Sequence, residues 1–213
     1  GDTTVLCTAT ASEKPRDGID FFPLSVEYNE RMYAVGKIPG GFNKREGKAS
    51  ENAILTCRVI DRPMRPLFPK DYRNDVTLEN LVMCVDQDCS PELTAMLGSA
   101  LATCISDIPF DGPTAATQIG LVDGELVINP TSAQRQVSDL ALTVASTREK
   151  VIMIEAGANE VPEDKMIEAI YKAHEVNGQI IEFFDKIVAE CGKEKHEYEH
   201  FDIPEDMFED MVN

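Results

Sequence analysis

Hydrophobic and polar positions alternate with period two in several short stretches and recur near every 3.6 residues in longer ones, which predicts a mixture of strands and helices. Val5–Ala11 reads as a strand entering a turn at Ser12–Gly18, and Phe21–Glu27 as a half-buried strand. Arg31–Val35 continues as a short segment into a glycine-rich loop. Ser50 suits the N-cap of a helix over Glu51–Ile60, where Ala53, Ile54, Cys57 and Ile60 recur at helical spacing, and Pro63 is expected to end it. Val76–Val85 is a further strand, and Pro91 suits the first position of a helix over Glu92–Ser106. Thr114–Val122 and Glu125–Asn129 flank Asp123-Gly124, a strong hairpin signal, and Leu140–Ala145 with Val151–Glu155 forms a second hairpin. Pro162–Glu190 is amphipathic and is broken only weakly, at Gly178. This order predicts an α+β domain over residues 1–191, with helices on one side of a mixed sheet. Residues 192–213, acidic and carrying Pro204, read as a linker leading into another helix.

At 213 residues the chain can bury one core of ordinary size with an appendage. No apolar run reaches the length that spans a bilayer, and Gly1–Thr10 lacks the charged start of a signal peptide. The chain begins without Met and inside an expected strand, so it reads as part of a longer protein. The six cysteines (Cys7, Cys57, Cys84, Cys89, Cys104 and Cys191) include no C-x-x-C pair, and no histidine sits beside a cysteine pair. That argues for small core residues in a reducing cytoplasm rather than a zinc site or disulfide framework. His174, His196 and His200 read as surface residues.

Charge changes the picture more. Residues 1–80 carry 12 Lys+Arg and 12 Asp+Glu, so the entire net charge of −18 lies in residues 81–213. A polyanion is repelled by the second part, and any contact with one must be local to the first. The local candidate is Gly36-Lys-Ile-Pro-Gly-Gly-Phe-Asn-Lys-Arg-Glu-Gly47, one ring and adjacent cations on a glycine-hinged loop, followed by Arg58, Arg62, Arg65 and Arg73. Stacking on a base plus charge on phosphates is the minimal equipment for gripping single-stranded nucleic acid. The plainer alternatives are a solvated loop in which Lys44 and Arg45 pair with Glu46, a Phe42 that packs in an interface, and arginines paired with Asp61.

Several longer motifs then bear on family. They are Gly18-Ile-Asp-Phe-Phe-Pro-Leu24, Tyr33-Ala-Val-Gly-Lys-Ile-Pro-Gly40, Arg45-Glu-Gly47, Ile60-Asp-Arg-Pro-Met-Arg-Pro-Leu-Phe-Pro69, Arg73-Asn-Asp75, Val85-Asp-Gln-Asp88, Ser106-Asp-Ile-Pro-Phe-Asp-Gly-Pro113 and Val127-Ile-Asn-Pro-Thr131. In this order they resemble the first ribonuclease-PH-like core of the bacterial polynucleotide phosphorylase family, from residue 1 to about 190. The resemblance implies a ribonuclease-PH-like (ribosomal protein S5 domain 2-like) fold, followed from residue 192 by the start of an all-helical linker. It implies a cytoplasmic, ring-shaped homotrimer with two cores per subunit and RNA-degradosome-type partners. The family degrades single-stranded RNA from the 3′ end with inorganic phosphate, releases nucleoside diphosphates, and uses Mg²⁺ or Mn²⁺. RNA passes a loop of the first core, which falls here on Phe42, Asn43, Lys44 and Arg45, with Arg62 and Arg65 as further RNA contacts. Many relatives carry a second aromatic where this chain has Asn43.

By the same resemblance, the active core cradles phosphate on a Gly-Ser-Ser-Ser type loop at a helix N-terminus and holds metal with an Asp-x-Asp-x-Lys pattern. This chain has Cys89-Ser-Pro-Glu92 and Asp139-Leu-Ala-Leu-Thr143 at those places. Pro91 has no N–H to offer, Glu92 repels phosphate, and Ala141 cannot bind a metal. No catalytic or metal-ligating residue is therefore expected here, and the metal is expected in the second core. The alternatives are a structural module without RNA contact, and a self-sufficient enzyme.

Overall fold

In a computed structural model, which describes residues 1–41 and 46–200, the strands separate into two sheets. The elements are β1 (Thr4–Ala11), β2 (Leu24–Glu30), α1 (Glu51–Met64), β3 (Val76–Cys84), α2 (Pro91–Ile105), β4 (Ala115–Val122), β5 (Glu125–Ile128), α3 (Ser132–Val137), β6 (Leu140–Ser146), β7 (Val151–Ala158) and α4 (Glu163–Cys191). The first sheet has the order β1-β3-β2 and is mixed: β1 runs antiparallel to β3, and β2 runs parallel to it. The second, β5-β4-β6-β7, is antiparallel throughout and built from the two expected hairpins. A parallel pair requires a long crossover, and residues between β2 and β3, α1 included, supply it.

Helices α1 and α2 lie between the sheets, α1 against β2 and β7 and α2 against β1, β3 and β4. Period-two alternation explains the arrangement. Val76, Leu78 and Val82 of β3 point inward, while Thr77, Glu79 and Met83 face solvent. On β6 the two sides of the strand are both used. Leu140, Leu142 and Val144 pack with Ile119 and Leu121 against Ala169 and Ala173 of α4, whereas Ala145 joins the helices of the main core. Burying each Leu, Ile or Val side chain among them contributes about 1.5–3 kcal/mol.

Two buried polar networks fix the layers in register. Asn80 of β3, fully buried, donates to Glu27 O (3.1 Å) and accepts from Ser99 of α2 (2.7 Å). Asn177 of α4 accepts from Thr117 Oγ1 (2.7 Å) and donates to Val144 O (3.1 Å) and Ser146 Oγ (2.9 Å). Buried polar groups persist only when bonded, so each network favours one helix position over its neighbours.

Several local readings differ from the structure. Pro63 lies inside α1 rather than ending it: its ring is buried, and the Arg65 N–H still reaches Asp61 O, so the helix absorbs one missing donor. Gly178 leaves α4 continuous. The short helix α3 went unpredicted, although Thr131 and Gln134 form the reciprocal capping box that announces it. Finally, residues 192–200, read as linker, return along the core. Lys193 N–H donates to Ile105 O (3.0 Å), His196 N–H to Asp107 O (2.7 Å), and the Lys195 ammonium meets the carbonyls of Thr103, Cys104 and Ser106 at 2.7–3.2 Å. A cation at a helix C-terminus satisfies the last carbonyls and the macrodipole together. Tyr198 packs edge-on against buried Tyr72, ring centroids 5.0 Å apart, beside Phe22, Phe68 and Phe110.

The histidines are correspondingly less exposed than expected. His196 is half-buried with Nε2 3.1 Å from the Tyr72 hydroxyl, and His174 holds a buried Nδ1 without a hydrogen-bond partner among the described residues. His200 is exposed and pairs with Asp71 at 2.7 Å. Burial alone would raise the Asp71 carboxyl, but hydrogen bonds from His200 and Tyr198 outweigh it and hold Asp71 below the usual carboxylate range.

Candidate functional site

The N-terminus of α2 and the inner face of β6 and β7 meet at a cleft of about 740 Å³, walled on its other side by α1. Its floor is set by strand parity: Ala141 lies opposite Gly157, and Thr143 opposite Glu155. Its rim is the turn ending in Ser90, whose hydroxyl accepts from Leu93 N–H (3.1 Å) as the N-cap of α2. Cys89, Ser90, Pro91 and Glu92 thus share one cavity with Ala141 and Thr143, although some fifty residues separate them in sequence. Asp139 is not part of the lining; its N–H donates to Leu121 O (2.9 Å) and its carbonyl accepts from Asn159 (2.9 Å), which fixes the entry into β6.

Electrostatics decide what this cleft can hold. A helix N-terminus attracts an anion through its free N–H groups and dipole. Here Glu92 already supplies that anion, held by the Ser90 hydroxyl (2.6 Å) and approached by Asn52 Nδ2 (3.5 Å), while Pro91 removes one donor. Among the described residues that line the cavity, Glu30, Asp86, Glu92 and Glu155 stand against the Arg135 guanidinium, which is occupied by the carbonyls of Pro130 (2.7 Å) and Gln87 (2.6 Å), while Arg62 reaches Glu155 from outside the lining. Bonds from the N–H groups of Asp88 and Asp2 hold the Asp86 carboxyl below its ordinary value, so it stays charged. Buried Tyr28 donates to Glu30 (3.2 Å), and burial, reinforced by Glu92 and Glu30, pushes its phenol upward. A phosphate would therefore meet repulsion. Among the described residues no group of three or more His, Cys, Asp or Glu is disposed to hold a metal ion.

The expected RNA contacts fall into three sets. Phe42, Asn43, Lys44 and Arg45 lie outside the described residues. The residue that follows them is fixed: the Glu46 carboxylate accepts from Met32 N–H at 2.6 Å, so this acid serves the backbone. Arg65 is fully occupied. It forks onto Asp61 (3.0 and 2.7 Å), donates to Phe22 O (3.0 Å) and Leu24 O (3.2 Å), and lies over the Phe22 ring. Arg62, three residues earlier, has one polar partner among the described residues, Nη1 to Glu155 Oε2 at 3.3 Å, with both side chains more than half exposed. The acids of the cleft were missed in sequence, because isolated Glu30, Asp86 and Glu155 carry no spacing signal.

Similarity places this architecture. The crystal structure of rice (Oryza sativa) Rrp46 superimposes with a TM-score of 0.69 over 88% of this chain and 84% of that one, at 16% identity, which establishes a shared fold. Models described as 3′ exoribonuclease family, domain 1 and domain 2, match residues 1–109 and 112–176. The chain belongs to the 3′ exoribonuclease family. It is 81% identical over 208 residues to the polyribonucleotide nucleotidyltransferase of Lachnoclostridium phytofermentans, and 61% identical over 209 residues to that of Ruminiclostridium cellulolyticum. Each match covers 98% of this chain but only 30% of the relative. The ribonuclease-PH-like fold and the family read from the motifs are those found. Among the described residues no helix is long and apolar enough to cross a membrane.

Proposed function

We propose that this chain is the first core of a cytoplasmic phosphorolytic 3′-to-5′ exoribonuclease, and that its own cleft is a noncatalytic remnant. In the whole protein, inorganic phosphate attacks the terminal phosphodiester of single-stranded RNA and a nucleoside diphosphate leaves, with Mg²⁺ or Mn²⁺ held in a second core. The present core serves homotrimer assembly and RNA guidance. Phe42 stacks on a base, worth about 1–3 kcal/mol, while Lys44, Arg45 and Arg62 meet phosphates. Arg65 instead ties α1 to the segment before β2.

One observation carries this reading: the two elements that should build a phosphate and metal site converge in one cleft and present Pro91, Glu92, Ala141 and Thr143. Phosphorolysis needs an anion cradle and charge stabilisation at the reacting centre, and an acidic cavity offers neither. The test is phosphate-dependent release of nucleoside diphosphate from poly(A) with magnesium, comparing this chain with the full-length protein. Activity confined to the longer protein supports the proposal. Activity in this chain alone would overturn it.

A further inference from the structure

Two arginines one helical turn apart have opposite fates, and the difference points to a residue outside the expected set. Every nitrogen of the Arg65 guanidinium has a partner, whereas Arg62 is held by Glu155 alone among the described residues. Glu155 projects from β7 into the acidic cleft, opposite Thr143, and Arg62 reaches it from the exposed side of α1. A carboxylate oxygen presents to an arginine fork much the same acceptor as a phosphate oxygen. The pair is solvated on both sides, so its bond is weak enough to exchange.

We infer that Glu155 is a positioning residue that occupies Arg62 in place of RNA: the carboxylate keeps the guanidinium extended over the cleft mouth, and an arriving RNA phosphate displaces it. This rests on the reading of Arg62 as an RNA contact. It adds that the exchange has a built-in opponent, so Glu155 weakens RNA binding while holding Arg62 in place for it. It also gives the remnant cleft a present role, because the position facing Thr143 of the degenerate site now sets the grip of a residue on the RNA path.

The experiment measures binding of a fluorescent single-stranded oligoadenylate to the full-length protein and its Glu155→Gln, Arg62→Gln and doubly substituted variants, over a salt series, with a thermal scan of each. Glu155→Gln should tighten binding about 1.5- to 5-fold, the range of an exposed ion pair, and leave the melting temperature essentially unchanged. The gain should vanish in the Arg62→Gln background. Arg62→Gln alone should weaken binding and flatten the salt slope by about 0.7, and Arg62→Lys should restore the slope. Unchanged or weaker binding by Glu155→Gln refutes the inference. So does an equal gain without Arg62, which would mean simple removal of a repelling charge. If Arg62→Gln alters neither affinity nor slope, Arg62 is not on the RNA path, and both the inference and that part of the proposed function fall.

Discussion

Replacing Asn177 by alanine tests how the second sheet and α4 are held together. Asn177 is completely buried and makes three bonds, to Thr117, Val144 and Ser146. The substitution leaves two hydroxyls and one carbonyl without that partner, at about 1–3 kcal/mol for each group left unsatisfied. Thr117 and Ser146 can rotate their hydroxyls, which places the total near the lower end, about 3 kcal/mol. For a chain of this size each kcal/mol shifts the melting temperature by about 2–4 °C, so the expected fall is about 6–12 °C. Thermal and urea unfolding should agree on it. The decisive arm is a double-mutant cycle with Thr117→Val, whose cost should shrink by about 1 kcal/mol once Asn177 is gone, because the valine then removes a hydroxyl that had lost its partner. A loss below about 1 kcal/mol, or strictly additive substitutions, would refute the argument that the network locks α4 in place.

Other substitutions probe single contacts. Gly98→Ala drives a methyl group into Cys7 Sγ where α2 crosses β1, and should cost about 1–3 kcal/mol in urea unfolding. Adding Cys7→Ala should recover most of that loss, and no recovery would contradict the packing described. Gly178→Ala should stabilise the chain by about 0.5–1 kcal/mol, since its added carbon meets nothing within 4 Å on the helix; a lower melting temperature would count against this. For Asp71, the lowered folded value means that the unfolded chain binds the proton more readily. Its contribution is therefore complete above the unfolded value of about 3.9 and disappears as pH falls through the lower folded one. Amide exchange of residues 192–200 should show an acid-induced loss of protection that Asp71→Asn lacks; the same transition in the variant would assign it elsewhere.

Much of this architecture is written in local pattern. The hairpin at Asp123-Gly124, the N-cap Ser50, the start of α2 at Pro91 and the amphipathic run of α4 appear in the fold where the local pattern places them. Partition of the strands into two sheets is not local, because the pairing of β1 and β2 with β3 spans some fifty to eighty residues. Strand β2 begins at Leu24 rather than Phe21 because Phe22 is drawn into contact with Phe68 and Tyr72, a tertiary preference over alternation. The return of residues 192–200 was hidden for a similar reason: Lys195 looks like any charged residue in an acidic tail until the carbonyl end of α2 lies beneath it. At the candidate site the individual residues were legible one by one, since a proline lacks an N–H and an alanine lacks a metal ligand wherever they stand. Their convergence in one acidic cavity, and the contrast between Arg62 and Arg65, required the fold.

The bond from Met32 N–H to Glu46 closes the neck of the segment that carries Phe42 to Arg45, and the neighbouring bond from Val85 N–H to Ala34 O (3.0 Å) anchors that neck to the end of β3. A chain segment fixed at both ends has already lost most of the freedom that lengthening it could restore. Doubling its length costs only about 0.6 kcal/mol of closure entropy. The neck itself belongs to the core, because Ala34 is buried at its base, whereas Gly36 to Gly41 are exposed and can be exchanged or lengthened with little penalty to the core. The exposed stretch can thus change its chemistry while the neck keeps its place on the first sheet.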